Sequence, residues 1–179
     1  HTGVSPEEFK RELLRRQAEA RNKGAELHNA FQRYVQGVEV VGDGIVVARN
    51  IYAFLEEKFP QDFVEVSPDN VEVSFANDQY AGTADLVTSN TVFDWKTTAT
   101  EKGIRLPQVL QAVAYARHFK RSRAVVAQIS QETLEITKYV VAENETFTQL
   151  SDMLDTVIKL YWQIDRLSKV VKFENQAVS

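Results

Sequence analysis

The chain has 179 residues, of which 44% are hydrophobic and 26% are charged, as is ordinary for a globular protein of one domain. It contains no cysteine, which excludes disulfides, a thiol nucleophile, cysteine-ligated zinc and an iron–sulfur cluster. The formal net charge is −4, so any binding to nucleic acid has to come from a local basic surface rather than from the whole molecule.

The first third of the sequence predicts helices. Ser5-Pro6-Glu7-Glu8 combines a capping box with proline at the first helical position, which indicates a helix start. The following basic residues form either a solvated face or a surface for a nucleic-acid backbone. Gly24 predicts a break or a tight packing point before a second helical stretch that carries His28. A turn at Val40–Gly44 and a further helix over Val47–Phe59 complete this helical front.

The pattern then changes to alternating apolar and polar residues. Strands are predicted over Phe63–Val66, Val71–Phe75, Tyr80–Thr88, Thr91–Thr97, Ala124–Ile129 and Leu134–Val141, and helices over Arg105–Phe119 and Asn144–Lys169. A helix between strands allows a crossover connection. We therefore expect one α/β (or α+β) domain over 1–179, with a helical front (1–60), a central mixed β-sheet with an inserted helix (61–141) and a C-terminal helix (142–179).

The strand Val92–Thr98 carries the clearest chemistry. Because strand side chains alternate, Asp94 and Lys96 share one face, while two aromatic residues on the other face anchor the strand in a core. By themselves these two residues are equally well read as a surface ion pair. Asp85 changes this interpretation, because an unpaired carboxylate in its apolar strand would be costly to desolvate. Two acids and a lysine on a hairpin predict a site for a hard cation such as Mg²⁺ or Mn²⁺.

Two helical spacings accompany this strand. Gln111 and Tyr115 are four residues apart and share a helix face, and His28 lies four residues after Gly24. Each spacing also has an ordinary interpretation. A Gln-x-x-x-Tyr pair is common without function, and a lone helical histidine is most often structural.

Taken in order, four motifs resemble the RecB-type exonuclease branch of the PD-(D/E)XK nuclease superfamily. They are Gly24-x-x-x-His28, Gly82-Thr83-Ala84-Asp85, Asp94-Trp95-Lys96-Thr97 and Gln111-Ala112-Val113-Ala114-Tyr115. The stretch from Tyr80 to Thr97 is especially similar to the mitochondrial genome maintenance exonucleases and to related phage and bacterial exonucleases. The resemblance covers roughly residues 24–120 and implies a restriction-endonuclease-like core.

The resemblance also implies a metal-dependent active site that holds one or two Mg²⁺ or Mn²⁺ ions. Asp85, Asp94, the backbone carbonyl of Trp95 and, as an additional ligand, His28 would hold the metal. Lys96 would position or activate the attacking water, so that Lys96, Asp94 and Asp85 form the catalytic set.

The family pattern assigns further residues to the substrate. Gln111 and Tyr115 would orient the nucleic-acid strand and the lysine. The basic residues that we expect at DNA are Arg16, Arg105 and Arg117. Glu72 is a possible accessory acid near the site, although an acid on an alternating strand is more often solvent-facing.

The activity implied is a deoxyribonuclease, most consistent with an exonuclease at DNA ends or in single strands that leaves a 5′-phosphate and a 3′-hydroxyl. It would serve DNA repair, recombination or replication, with DNA and a recombination or replication protein as partners and no membrane. The alternatives are a structure-specific or restriction-type endonuclease and a non-catalytic nucleic-acid-binding module of the same fold. We expect a cytoplasmic protein of a bacterium or of a phage in its host, with a mitochondrial origin also open. Since the chain begins with His1 and has no helicase P-loop, we expect a stand-alone nuclease domain or a piece of a longer chain.

Overall fold

The computed structural model describes residues 5–99 and 103–170, except for the side chains at 6, 9, 16, 21 and 167–170. The elements in chain order are α1 (Pro6–Val35), α2 (Asp43–Lys58), α3 (Pro60–Phe63), a 3₁₀ turn (Pro68–Asn70), β1 (Val71–Ala76), β2 (Ala81–Val87), β3 (Thr91–Thr98), α4 (Leu106–His118), β4 (Arg123–Ser130), β5 (Ile136–Ala142) and α5 (Asn144–Val170). None of the helices in these ranges is both long and apolar enough to cross a membrane.

The five strands form one mixed sheet in the order β1-β2-β3-β4-β5. Neighbouring strands are antiparallel except β3 and β4, which run parallel and are connected through α4. This confirms the expected α/β (α+β) architecture of a central mixed sheet flanked by helices, with a helical region before it.

The sheet buries a hydrophobic cluster on each face. The first cluster joins residues of α1 and α2, such as Phe31 and Ile51, to Phe93 and Trp95 of β3. The second joins α4 and α5 to the opposite side chains of β3 and β4, such as Val92. Phe93 is 0% exposed and Trp95 2%, and burial of a large side chain contributes about 2–3 kcal/mol each. The predicted alternation of β3 is therefore confirmed, and it presents Asp94 and Lys96 on the α4 side.

Helix α1 runs unbroken through Gly24, so the predicted break there is wrong. The other interpretation, a tight packing point, is confirmed: a Cβ on Gly24 would lie 2.6 Å from Thr97 Oγ1 of β3. The predicted helix start is confirmed as well. Ser5 Oγ accepts a hydrogen bond from the Glu8 amide, and Glu8 accepts one from the Ser5 amide.

Two predictions between α1 and β1 are wrong. The strand predicted over Phe63–Val66 is instead the end of α3 and a turn, because Pro60 suits the first position of a short helix. Asp62 of that helix is buried and forms an ion pair with Arg123, which holds the segment against β4. Helix α2 begins at Asp43, inside the turn predicted at Val40–Gly44.

Candidate functional site

The candidate site lies where β2 and β3 separate. Their register pairs are Leu86 with Phe93 and Val87 with Val92, and the ladder does not extend to Asp85 and Asp94. Instead, the Asp85 carboxylate accepts a hydrogen bond from the Trp95 amide at 2.5 Å. Both aspartates are 3% exposed. The opening between the strands thus contains two buried carboxylates.

Helix α1 brings His28 to Asp85 and to a third acid, Glu72. His28 Nε2 lies 2.8 Å from Asp85 Oδ1, and His28 Nδ1 lies 3.2 Å from Glu72 Oε1. One ligand atom from each of the three residues falls within 4.8 Å of the others. The approach depends on Gly24, one helical turn earlier, where the absence of a side chain lets α1 lie close to β3. The predicted meeting of His28 and Asp85 is therefore observed, and Glu72 joins them.

Glu72 has an unusual backbone. Its φ of +54° lies in the left-handed region, which non-glycine residues rarely adopt and which costs about 1–3 kcal/mol. It lies between the register pairs Val71–Leu86 and Val73–Ala84, and its side chain is 18% exposed. The ordinary interpretation of a solvent-facing acid is wrong. The register places Glu72 opposite Asp85, but no pattern in the sequence signals the left-handed backbone that turns its side chain toward His28.

A chain of hydrogen bonds joins β3 to α4. Lys96 Nζ donates to Asp94 Oδ1 at 3.0 Å and to Gln111 Oε1 at 2.8 Å. Gln111 Nε2 then donates to Tyr115 Oη at 2.8 Å. The Tyr115 ring covers Gly82, where a Cβ would come 2.6 Å from Tyr115 Oη. The Gln-x-x-x-Tyr face of α4 therefore fixes the lysine and lies on the glycine that precedes Asp85 in β2.

The crowded acids shift the proton affinities of the cluster. Burial, together with the charge of Asp85, raises the pKa of Asp94 to about 7, although Lys96 opposes the shift. Burial and Asp85 also raise the pKa of Glu72. For His28, burial opposes the charged form, but the hydrogen bond to Asp85 and the surrounding acidic charges prevail and raise its pKa to about 9. The cluster therefore favours added positive charge.

The donor set fits a hard divalent cation. Asp94 Oδ2 is buried at ion-pair distance from Lys96 Nζ (2.8 Å), yet it accepts no hydrogen bond with acceptable geometry from the described residues. The N–H and C=O of a strand residue point to the same edge, so the Trp95 carbonyl faces the β2 edge of β3, as its amide does. Carboxylate and carbonyl oxygens with one imidazole suit Mg²⁺ or Mn²⁺. His28, Asp85 and Glu72 present the ligand atoms that lie close together, and the predicted ligands Asp94 and the Trp95 carbonyl would complete the coordination of the ion.

The three predicted DNA-binding arginines lie in different places. Arg105 is exposed and lines a cavity of about 560 Å³ together with His28 and Lys96. Arg117 faces α5 instead, where its guanidinium donates to Asp155 at 2.7 Å and to the Ser151 carbonyl at 3.2 Å. Arg16 belongs to α1, and its side chain lies outside the described residues.

Comparison with known proteins adds little to this geometry. No protein-family model matches the chain. No curated protein matches it either. The crystal structure of SSO0001 is similar over 74% of this chain and 84% of that chain, with a TM-score of 0.34 and 14% sequence identity. A likeness at this level carries no argument about fold or function.

Proposed function

We propose that the chain is a Mg²⁺- or Mn²⁺-dependent deoxyribonuclease, acting as an exonuclease at DNA ends or in single strands. The observation that carries this proposal is the convergence of Asp85, Asp94 and Lys96 with His28 and Glu72 at the separation of β2 and β3. A buried acidic cluster with a lysine fixed at its edge suits attack of water on a phosphodiester. Burying these charges costs free energy, so stabilisation of the fold does not explain the cluster.

The residues divide the chemistry between them. A divalent cation bound by Asp85 and Asp94 would lower the pKa of water and stabilise charge on the phosphoryl oxygens. Lys96, held by Asp94 and Gln111, presents its ammonium to the attacking water or to the developing phosphoryl charge. The water oxygen bonds to phosphorus as the bond from phosphorus to the 3′ oxygen breaks, which leaves a 5′-phosphate and a 3′-hydroxyl.

The choice of an exonuclease rests on the Gln-x-x-x-Tyr helix and the histidine of α1, both of which contact the acid–lysine cluster. A non-catalytic module is disfavoured because a degenerate site is expected to lose an acid or the lysine, and all three are present. We place the activity in DNA repair, recombination or replication, in the cytoplasm of a bacterium or of a phage-infected cell.

Digestion of end-labelled linear DNA tests the proposal. Wild-type protein with Mg²⁺ or Mn²⁺ is expected to release labelled ends and to leave a closed circle intact. Asp94→Ala and Lys96→Ala should each lose roughly 100-fold or more in rate. Lys138→Ala, an exposed lysine on β5, is the matched control and should cut normally. Equal activity in all four proteins would refute the mechanism. Cleavage of the circle would show that the activity is that of an endonuclease rather than an exonuclease.

A further inference from the structure

An apolar groove of about 450 Å³ lies between α4 and α5. Its lining includes Tyr80, Leu110, Val157, Tyr161 and Trp162. Tyr161 is 63% exposed and Trp162 is 42% exposed, and their rings meet edge to face with the ring centroids 5.4 Å apart. Contiguous exposed apolar surface, unlike scattered exposed residues, marks interaction sites and ligand-binding grooves.

The groove is continuous with the candidate active site. Gln111 and Tyr115 form part of its wall, and the same Gln111 accepts a hydrogen bond from Lys96. One side chain therefore separates Lys96 Nζ from the groove. Helix α4 presents Pro107, Leu110 and Gln111 to this groove. On the other side of α4, Gln108 and Arg105, the residue before the helix, line the cavity that contains Lys96 and His28.

We propose that this groove binds unstacked nucleobases of a single-stranded nucleic acid whose scissile phosphate lies at Lys96. The inference rests on the proposed nuclease function and specifies its substrate as single strands or frayed ends. Bases separated from a duplex expose flat apolar faces, which stack on tyrosine and tryptophan rings regardless of sequence. A duplex keeps these faces inside its stack, so the groove would select against it.

The lining chemistry favours bases over the two obvious competitors. Phosphates would lie poorly in the groove, because none of its lining residues is charged. A second copy of the chain could cover the exposed aromatics, but nothing in that contact would require the groove to reach Lys96. The Gln111 amide at the shared wall can also hydrogen-bond the edge of a base.

Binding measurements in EDTA test the groove separately from cleavage. The chain has two tryptophans, and Trp95 is 2% exposed, so Trp162 is the reporter that a stacked base can reach. Oligothymidine should quench its fluorescence. Trp162→Ala should weaken oligothymidine binding, followed by anisotropy, by roughly 5- to 100-fold, with a smaller loss for Tyr161→Ala. An abasic oligomer of the same length should bind wild type and Trp162→Ala equally.

Leu160→Ala is the matched control. Leu160 is on the same helix, is 54% exposed and does not line the groove, so its loss should leave both affinities unchanged. Far-UV circular dichroism confirms that each variant is folded. Equal oligothymidine binding by wild type and Trp162→Ala overturns the proposal. So does an equal loss for the oligothymidine and the abasic oligomer, or a dimer in sedimentation that Trp162→Ala dissociates while oligothymidine binding persists.

The two proposals fail in different ways. If no metal-dependent cleavage is found but binding in EDTA depends on Trp162, the proposed nuclease function is refuted and the base-binding groove is supported. If wild type and Trp162→Ala both cleave DNA with metal and prefer single strands equally, the proposal for the groove is refuted and the proposed nuclease function stands.

Discussion

Lys96 makes contacts that separate metal binding from catalysis. Its ammonium lies between Asp94 on its own strand and Gln111 on α4. A cation is itself repelled by a second cation, so Lys96 is not a ligand. Removing it should leave the oxygen and nitrogen donors of the cluster in place. The carboxylate of Asp94, by contrast, is a predicted ligand.

We therefore expect Lys96→Ala to bind Mn²⁺ nearly as wild type does and yet to cut roughly 100-fold more slowly. Asp94→Ala should lose both properties. Calorimetric titration above the Asp94 pKa of about 7 checks the binding, because loss of the lysine raises that pKa further. Loss of Mn²⁺ binding in Lys96→Ala at this pH would contradict the assignment.

His28 makes the stability of the metal-free protein depend on pH. Its pKa is raised from 6.5 to about 9 in the fold, so between these values the folded state binds a proton that the unfolded state has released. The stabilisation is complete below pH 6.5 and is lost as the pH rises through 9.

Urea unfolding in EDTA should therefore show the wild-type free energy of unfolding falling across this pH window. His28→Asn removes the titrating group and should flatten the curve. A wild-type free energy that stays constant or rises with pH over this window would contradict the charge environment described for the cluster.

At the level of elements, Gly24 sets the distance between α1 and β3. A Cβ there would lie 2.6 Å from Thr97 Oγ1 and 3.3 Å from Gln131 Nε2. Alanine is favoured over glycine inside a helix by about 1 kcal/mol, so the helix by itself would gain from the change. The contact with β3 opposes that gain by pushing α1, and His28 with it, away from Asp85.

Gly24→Ala should consequently weaken Mn²⁺ binding by roughly 10-fold, as is usual when a metal ligand loses its support. Gly24→Ala combined with Thr97→Ala should recover the affinity, because the hydroxyl that meets the new methyl is gone. Gly103→Ala is the matched control, since a Cβ there meets nothing within 4 Å. Failure of the double variant to recover would show that α1 does not transmit the change.

Sequence patterns predicted most elements because period and side-chain type agree there. The alternation in β3 and the apolar stripe of α4 leave few other solutions, and the observed bounds differ from the predicted ones by a residue or two. The break at Gly24 and the strand over Phe63–Val66 are wrong because tertiary contacts decide both segments. A glycine suits a break or a close approach equally well, and the ion pair of Asp62 with Arg123 lies far beyond any local window.

In the candidate site as well, local sequence patterns predict some residues and tertiary contacts decide the others. Asp85, Asp94 and Lys96 could be selected from the sequence, since strand alternation pairs Asp94 with Lys96 and the apolar neighbours of Asp85 make its carboxylate unusual. Glu72 could not be placed, because its left-handed backbone turns its side chain toward His28 in a way that regular alternation does not allow. Arg117 is expected at DNA from its charge, and its pairing with Asp155 could not be predicted because Asp155 lies on α5, 38 residues further along the chain.

On the scale of the whole molecule, the net charge of −4 confines attraction for phosphates to a local surface. Arg105 is exposed beside the cavity that contains Lys96, whereas the guanidinium of Arg117 is paired with Asp155. The two arginines should therefore differ in how they affect the salt dependence of DNA binding.

For single-stranded DNA in EDTA, the logarithm of affinity should fall linearly with the logarithm of salt concentration. Each phosphate contact contributes a slope of about −0.7. Arg105→Ala should make the slope shallower by about that amount, as expected for loss of one phosphate contact. Arg117→Ala should keep the wild-type slope and instead lower the melting temperature, because it removes a link between α4 and α5. Anisotropy titrations over a salt series measure the slopes. If Arg117→Ala changed the slope and Arg105→Ala did not, the phosphates would contact Arg117 rather than Arg105, contrary to this prediction.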